Sequence, residues 1–243
     1  MNPTAAFAQW ALGFSGCNGG NLRGTVWICG IEWGTGQAHD LVAEMRHPVS
    51  APPQRYQDSD DILRDRISGR HYPFGVKLLK LIAAMRGGHV TEYRRIARQT
   101  PFPFHRDSDY FNLNLFPVAF QKVDPSLWDG KYRSATGLAT REEYLEWCRK
   151  HRFLQIRSWM ALGQPRLVVG VGSSFKDDFR EAFGFTGAEM KETIEGRELS
   201  WTSKGNAVLA VVPFLGPFRL DSDKRLQAFG RRLGSLLTEG VSG

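Results

Sequence analysis

Four short apolar runs, each bounded by breakers and mostly rich in β-branched side chains, punctuate the chain. They are Thr25–Gly30 (TVWICG), Asp109–Phe116 (DYFNLNLF), Arg166–Gly172 (RLVVGVG) and Ala207–Pro213 (AVLAVVP). Runs of this length and composition predict buried strands. Between them, apolar residues recur at helical spacing over Phe74–Arg86 and over Thr140–Leu162, the latter opening on a Thr-Arg-Glu-Glu start signal. Ser173–Phe183 and Ser222–Leu237 also read as helices, the last preceded by Asp221-Ser222-Asp223. Strands alternating with helices predict an α/β fold. The expectation is one domain over residues 1–243, built on a central, mostly parallel four-stranded sheet with helices on both faces. Ligands of such sheets bind at the carboxyl ends of the strands.

Two segments break the pattern. His47–Arg70 carries Pro48, Pro52, Pro53 and the charged run DSDDILRDR, and reads as an inserted loop with a short helix at about 47–70. Gln121–Ala139 reads as an irregular loop holding Lys122, Lys131 and Arg133, and Arg94, Arg95 and Arg98 form a basic cluster ahead of Pro101.

Charge narrows the partners. Against 25 Asp and Glu stand 32 Lys and Arg, a formal net charge of +7 over 243 residues. A basic surface favours polyanions, and DNA or RNA is the commonest polyanion a soluble domain meets. The three cysteines, Cys17, Cys29 and Cys148, form no C-x-x-C pair, which argues against a disulfide framework, a zinc ribbon or a four-cysteine cluster. No metal and no cofactor are expected. No apolar run reaches the ~18 residues that span a bilayer, and the amino terminus lacks the basic start of a signal peptide. A cytoplasmic protein with no membrane and no obligate protein partner is expected.

The residues richest in chemistry follow the first strand: Gly30-Ile31-Glu32-Trp33-Gly34-Thr35-Gly36-Gln37-Ala38-His39. A glycine-rich strand-to-loop turn holding one acid suits a catalytic carboxylate, a phosphate loop or a simple helix cap, although neither phosphate fingerprint, G-x-x-x-x-G-K-[ST] nor G-x-G-x-x-G, is present. Gly30-Ile31-Glu32-Trp33-Gly34 resembles the motif that ends the first strand in the uracil-DNA glycosylase superfamily, of the form G-I-N-P-G, G-M-N-P-G or G-Q-D-P-Y. Glu32 then falls where that family carries the Asp or Asn that activates or places the attacking water. Gly36-Gln37-Ala38-His39-Asp40-Leu41 is similar to a G-Q-A-H-x-L run of one branch. Asn114-Leu115-Phe116-Pro117-Val118 resembles the N-x-C-P-L motif of the single-strand-selective branch, whose Asn reads the edge of the flipped base. An amide carries both donor and acceptor, which fits that task, as a buried structural amide would equally fit the position; Asn112 is its rival in register. Tyr72-Pro73-Phe74-Gly75 resembles that branch's P-F-G, whose Phe stacks on the base; a core role for Phe74 is the alternative. The fourth strand ends in Val212-Pro213-Phe214-Leu215-Gly216-Pro217-Phe218-Arg219, where the family carries a loop of the form H-P-S-P that enters the minor groove. Leu215, Phe218 and Arg219 are the candidate wedge residues there. This loop has no His, and Trp33 stands where the first motif has Pro.

The resemblance implies a metal-independent DNA N-glycosylase acting by base flipping on double- or single-stranded DNA. Glu32 is its catalytic residue, and Asn114, Phe74, Trp33, Gly34 and Ile31 line its base pocket. Gly34 stands where the uracil-specific branch has a Tyr that blocks C5 of the pyrimidine. Uracil, as in DNA repair, and a C5-modified pyrimidine, such as a hypermodified phage base removed in antiviral defence, are both open substrates. Two other classes stay open: a non-catalytic nucleic-acid-binding module on the same fold, and a nucleotide-binding α/β enzyme.

Overall fold

The computed structural model describes residues 2–32, 40–54, 62, 66–67, 70–71, 74–120, 128–216 and 219–239. The four expected strands are all present, as β2 (Val26–Gly30), β5 (Tyr110–Asn114), β6 (Leu167–Val171) and β9 (Ala207–Val212). They lie side by side in the order β5-β2-β6-β9, every pair parallel. The main sheet has seven strands among the described residues, where four were expected. The additions are all antiparallel: β1 (Gly19–Gly20) beside β5 at one edge, then β8 (Arg197–Lys204) and β7 (Met190–Ile194) beyond β9 at the other. A separate two-stranded sheet pairs β3 (Arg66–Ile67) with β4 (Arg70–His71) at the end of the expected insertion, half of which lies outside the described residues.

The β7–β8 hairpin escaped the periodicity because it lies at an edge. Met190-Lys191-Glu192-Thr193 are all exposed, so no apolar run marks the strand. Its turn did carry a signal. Glu195 and Gly196 are the two residues between the strands, and both adopt positive φ, +48° and +71°, the conformation that two-residue hairpin turns require.

Alternation along the strands divides the core between the two faces. Trp27 and Cys29 of β2, with Phe111 and Leu113 of β5, join one cluster with the helices Ala5–Leu12, Arg141–Trp147, Phe153–Gly163 and Lys176–Phe183. Val26 and Ile28 face the other cluster, packed by the helices Phe74–Met85, Tyr93–Arg98 and Asp223–Glu239. The 140–162 helix appears as expected, except that Cys148–Arg152 is a π-helical turn joining its two halves. Such turns insert a residue into the α-helical ladder. Here the turn contains Arg152, fully buried, whose guanidinium donates to the carbonyls of Leu115 (2.8 Å), Ser15 (2.6 Å) and Ala11. Of the 121–139 segment, expected to be an irregular loop, residues 121–127 lie outside the described residues and the rest holds a helix. Gly130–Thr136 is a helix capped by Asp129, whose carboxylate accepts from the Lys131 and Tyr132 amides at 2.8 and 3.3 Å. Among the described residues, no helix is long and apolar enough to cross a membrane.

Candidate functional site

Because the four central strands are parallel, their carboxyl ends share one edge of the sheet. Chain order reverses between β2 and β6, so the crevice there is the expected ligand position. Glu32 lies two residues beyond β2 at this point, and Ile31 packs against Gly172, the residue after β6. Gly172 holds φ +130°, and a β-carbon on it would stand 2.6 Å from the Ile31 Cδ1.

The Glu32 side chain is 7% exposed and meets Arg141, 4% exposed. One guanidinium nitrogen of Arg141, Nη2, donates to both carboxylate oxygens, at 3.2 Å to Oε1 and 2.9 Å to Oε2. Burial pushes the Glu32 carboxyl up to about 6, while the neighbouring Arg141 pulls it down. Arg141 opens its helix behind Thr140, whose hydroxyl accepts from the Glu143 amide at 3.1 Å. Its guanidinium carbon lies 5.1 Å from the centroid of the Phe120 ring. Phe120 sits 5.1 Å from Tyr132 and 6.4 Å from Tyr144, ring to ring, so the ion pair abuts an aromatic wall.

Asn114, the last residue of β5, is buried and pairs in register with Gly30. Its Nδ2 donates to the Gly16 carbonyl at 3.0 Å, and its Oδ1 lies where a β-carbon on residue 30 would stand. Only glycine admits that approach, which ties the first motif to the second. One amide hydrogen of Asn114 is left beyond the bond to Gly16. Asn112, the register rival, accepts from Asn18 Nδ2 at 3.0 Å.

Of the expected aromatic and loop residues, Phe74 is placed at this edge by a contact. Phe74, at the start of its helix, lies 6.0 Å from the ring of Phe214, which follows β9. Arg219 is exposed. Leu215 departs from its expected place as a wedge: it is 1% exposed and belongs to the core. A side chain packed there has no surface to insert between bases, and among the described residues of the loop Phe214, 37% exposed, is the apolar group presented to solvent. Trp33, Gly34 and Phe218 lie outside the described residues, as do Tyr72 and Pro73.

Arg141 is the residue that the sequence reading missed, although it stands inside the Thr-Arg-Glu-Glu signal that located its helix. The basic cluster Arg94, Arg95 and Arg98 is not brought to this edge. Its helix ends at Gln99, which Arg86 links to Tyr110 at the start of β5, the opposite end of the sheet. Lys131 and Arg133 are exposed on the helix that carries Tyr132. Burial raises the thiols of Cys17 and Cys148 to about 12 and pushes Cys29 up as well, so all three stay protonated. Among the described residues, no group of three His, Cys, Asp or Glu side chains is placed to hold a metal ion.

A cavity of about 720 Å³ opens at the opposite end of the sheet, lined by Arg157, Arg166, Lys204, Gln164 and Phe183 among others. Its cations are engaged with helix ends. Arg157 donates to the Glu181 carbonyl (2.9 Å), Lys204 to Gly184 (3.0 Å) and Arg166 to Leu237 (2.8 Å). Carbonyl-rich helix ends carry partial negative charge, which these cations offset.

No protein-family model matches the chain, and no curated protein sequence matches it.

Proposed function

We propose that this protein binds DNA, takes a pyrimidine out of the stack and hydrolyses its N-glycosidic bond. The observation that supports this most is Glu32: a buried carboxylate at the carboxyl end of the first parallel strand, held near the physiological range. In this reaction the bond between C1′ of the deoxyribose and the base nitrogen breaks, and its electron pair leaves with the base. Water adds to C1′, and Glu32 accepts the water proton and stabilises positive charge on the sugar. Asn114 supplies an amide for the edge of the extruded base, and Phe74 a ring for its face. Phe214 and Arg219 follow β9, where a loop would fill the gap left in the duplex. The net charge of +7 favours the phosphate backbone.

A second reading has a specific observation in its favour. Arg141 neutralises Glu32, as it would in a binding module that keeps the fold without turnover. One assay separates the two. End-labelled oligonucleotides carrying uracil, thymine or a C5-modified cytosine are incubated with the protein, then treated with alkali, and free base is collected. The expected result is alkali-labile sites and released base from at least one oligonucleotide. Tight binding to the whole series without base release would establish the binding module instead. Neither binding nor release would end both readings.

A further inference from the structure

We infer that Arg141 is a positioning residue of this site, fixing the charge and orientation of the Glu32 carboxylate at the tip of β2. The reaction served rests on the glycosylase reading; the pairing itself does not.

Four observations converge. The pair is nearly dry, with side-chain exposures of 4% and 7%. Both carboxylate oxygens face one nitrogen, so rotating the carboxylate would break a charge-assisted hydrogen bond where bulk water has little access to replace it. Arg141 is itself held, by the capped start of its helix and by the Phe120 face. Its Nε–H is buried and has no partner among the described residues. Buried donors are seldom left unpaired, so each one calls for an explanation, a catalytic role or a bound water among them. This one sits on the guanidinium that grips the candidate base, where an oxygen of the incoming substrate or the attacking water could accept from it.

The electrostatics give the arrangement its purpose. Arg141, Tyr132 and Tyr144 are titratable groups that interact electrostatically with Glu32. Burial, more than any other cause, pushes both phenols above their usual range, so they stay neutral at working pH. Arg141 is therefore the cation that opposes burial at Glu32. A carboxylate beside an arginine titrates about 1–3 pH units lower than it would alone. Removing the guanidinium leaves burial unopposed and protonates the base at neutral pH.

The test compares wild type, Arg141→Met and Arg141→Lys by ¹³C NMR titration of the Glu32 carboxyl and by the pH profile of base release. Arg141→Met should raise the titration midpoint by at least about one pH unit. It should cut turnover at pH 7 by roughly 10-fold or more, with recovery towards pH 9. Arg141→Lys should keep the midpoint near that of wild type and lose turnover at all pH values, because an ammonium keeps the charge without the planar grip. An unchanged midpoint and an unchanged profile in Arg141→Met would overturn the inference. A loss of turnover equal at every pH in both variants, with no titration shift, would also overturn it and assign Arg141 to packing alone. If Arg141→Met does not fold, Arg141→Gln, which also removes the charge, takes its place and is judged by the same midpoint and pH profile. If wild type releases no base, the glycosylase reading fails, while the NMR titration still decides the pair.

Discussion

The two ends of the parallel sheet both bury parts of arginine side chains, and they use them differently. At the amino end, Arg157 and Arg166 donate to backbone carbonyls at the ends of helices, a role that any long cation fills and that solvent shares. At the carboxyl end, Arg141 meets a carboxylate in a nearly dry place, its Nε–H without a partner among the described residues. The first arrangement completes the fold. The second is poor as a stabiliser, because burying two charges costs much of what their attraction returns. A polar pair held at such cost, at the point where chain order reverses, is what separates the edge proposed as the site from the structural one.

Chemistry gives the sharpest break between the ends. Glu32→Gln keeps an oxygen for Arg141 but cannot take a proton from water. Single-turnover base release should fall by roughly 10²–10⁴, while Arg166→Gln should stay within about twofold of wild type. Equal losses in the two variants would place the reaction elsewhere.

Stability provides the next contrast. Arg141→Ala strands a buried carboxylate and should cost about 3–5 kcal/mol in urea unfolding at pH 7.5. Arg157→Ala loses one contact to a helix end and should cost about 0.3–1 kcal/mol. Similar costs would mean that the Glu32–Arg141 pair is as solvated as the cations at the far end.

The smallest effect is the acid limb. The ionised form of Glu32 is the working base, and its carboxyl sits at about 6, so base release should decline as pH falls through about 6. The decline should approach tenfold per pH unit below that point. For folding the sign is opposite. The raised carboxyl favours the folded state below the ordinary carboxylate value, and that contribution is lost as pH rises through about 6. A flat profile between pH 5 and 8 would remove Glu32 from the proton transfer.

Sequence alone determined the four parallel strands, the four helices read between and after them, and the positions of Glu32 and Phe74 at element ends. Those features are local: a buried strand must be apolar over five or six residues, and a packed helix must repeat its apolar positions. It left the β7–β8 hairpin unread because an exposed edge strand has no such obligation, and its paired positive-φ turn was a weaker signal. Only the tertiary structure decided what those residues touch. Glu32 and Arg141 are 109 positions apart, and their pairing exists because β2 ends and the later helix begins at the same edge. Leu215 and Phe214 are adjacent and apolar, yet one is in the core and the other faces solvent, a choice made by the direction of the chain as it leaves β9. Arg152 reads as one more surface cation, and the widened turn of its helix places it wholly inside, on the carbonyls of Ala11, Ser15 and Leu115. Periodicity encodes which side of an element is buried; the partner met there depends on how the elements pack, which no local pattern contains.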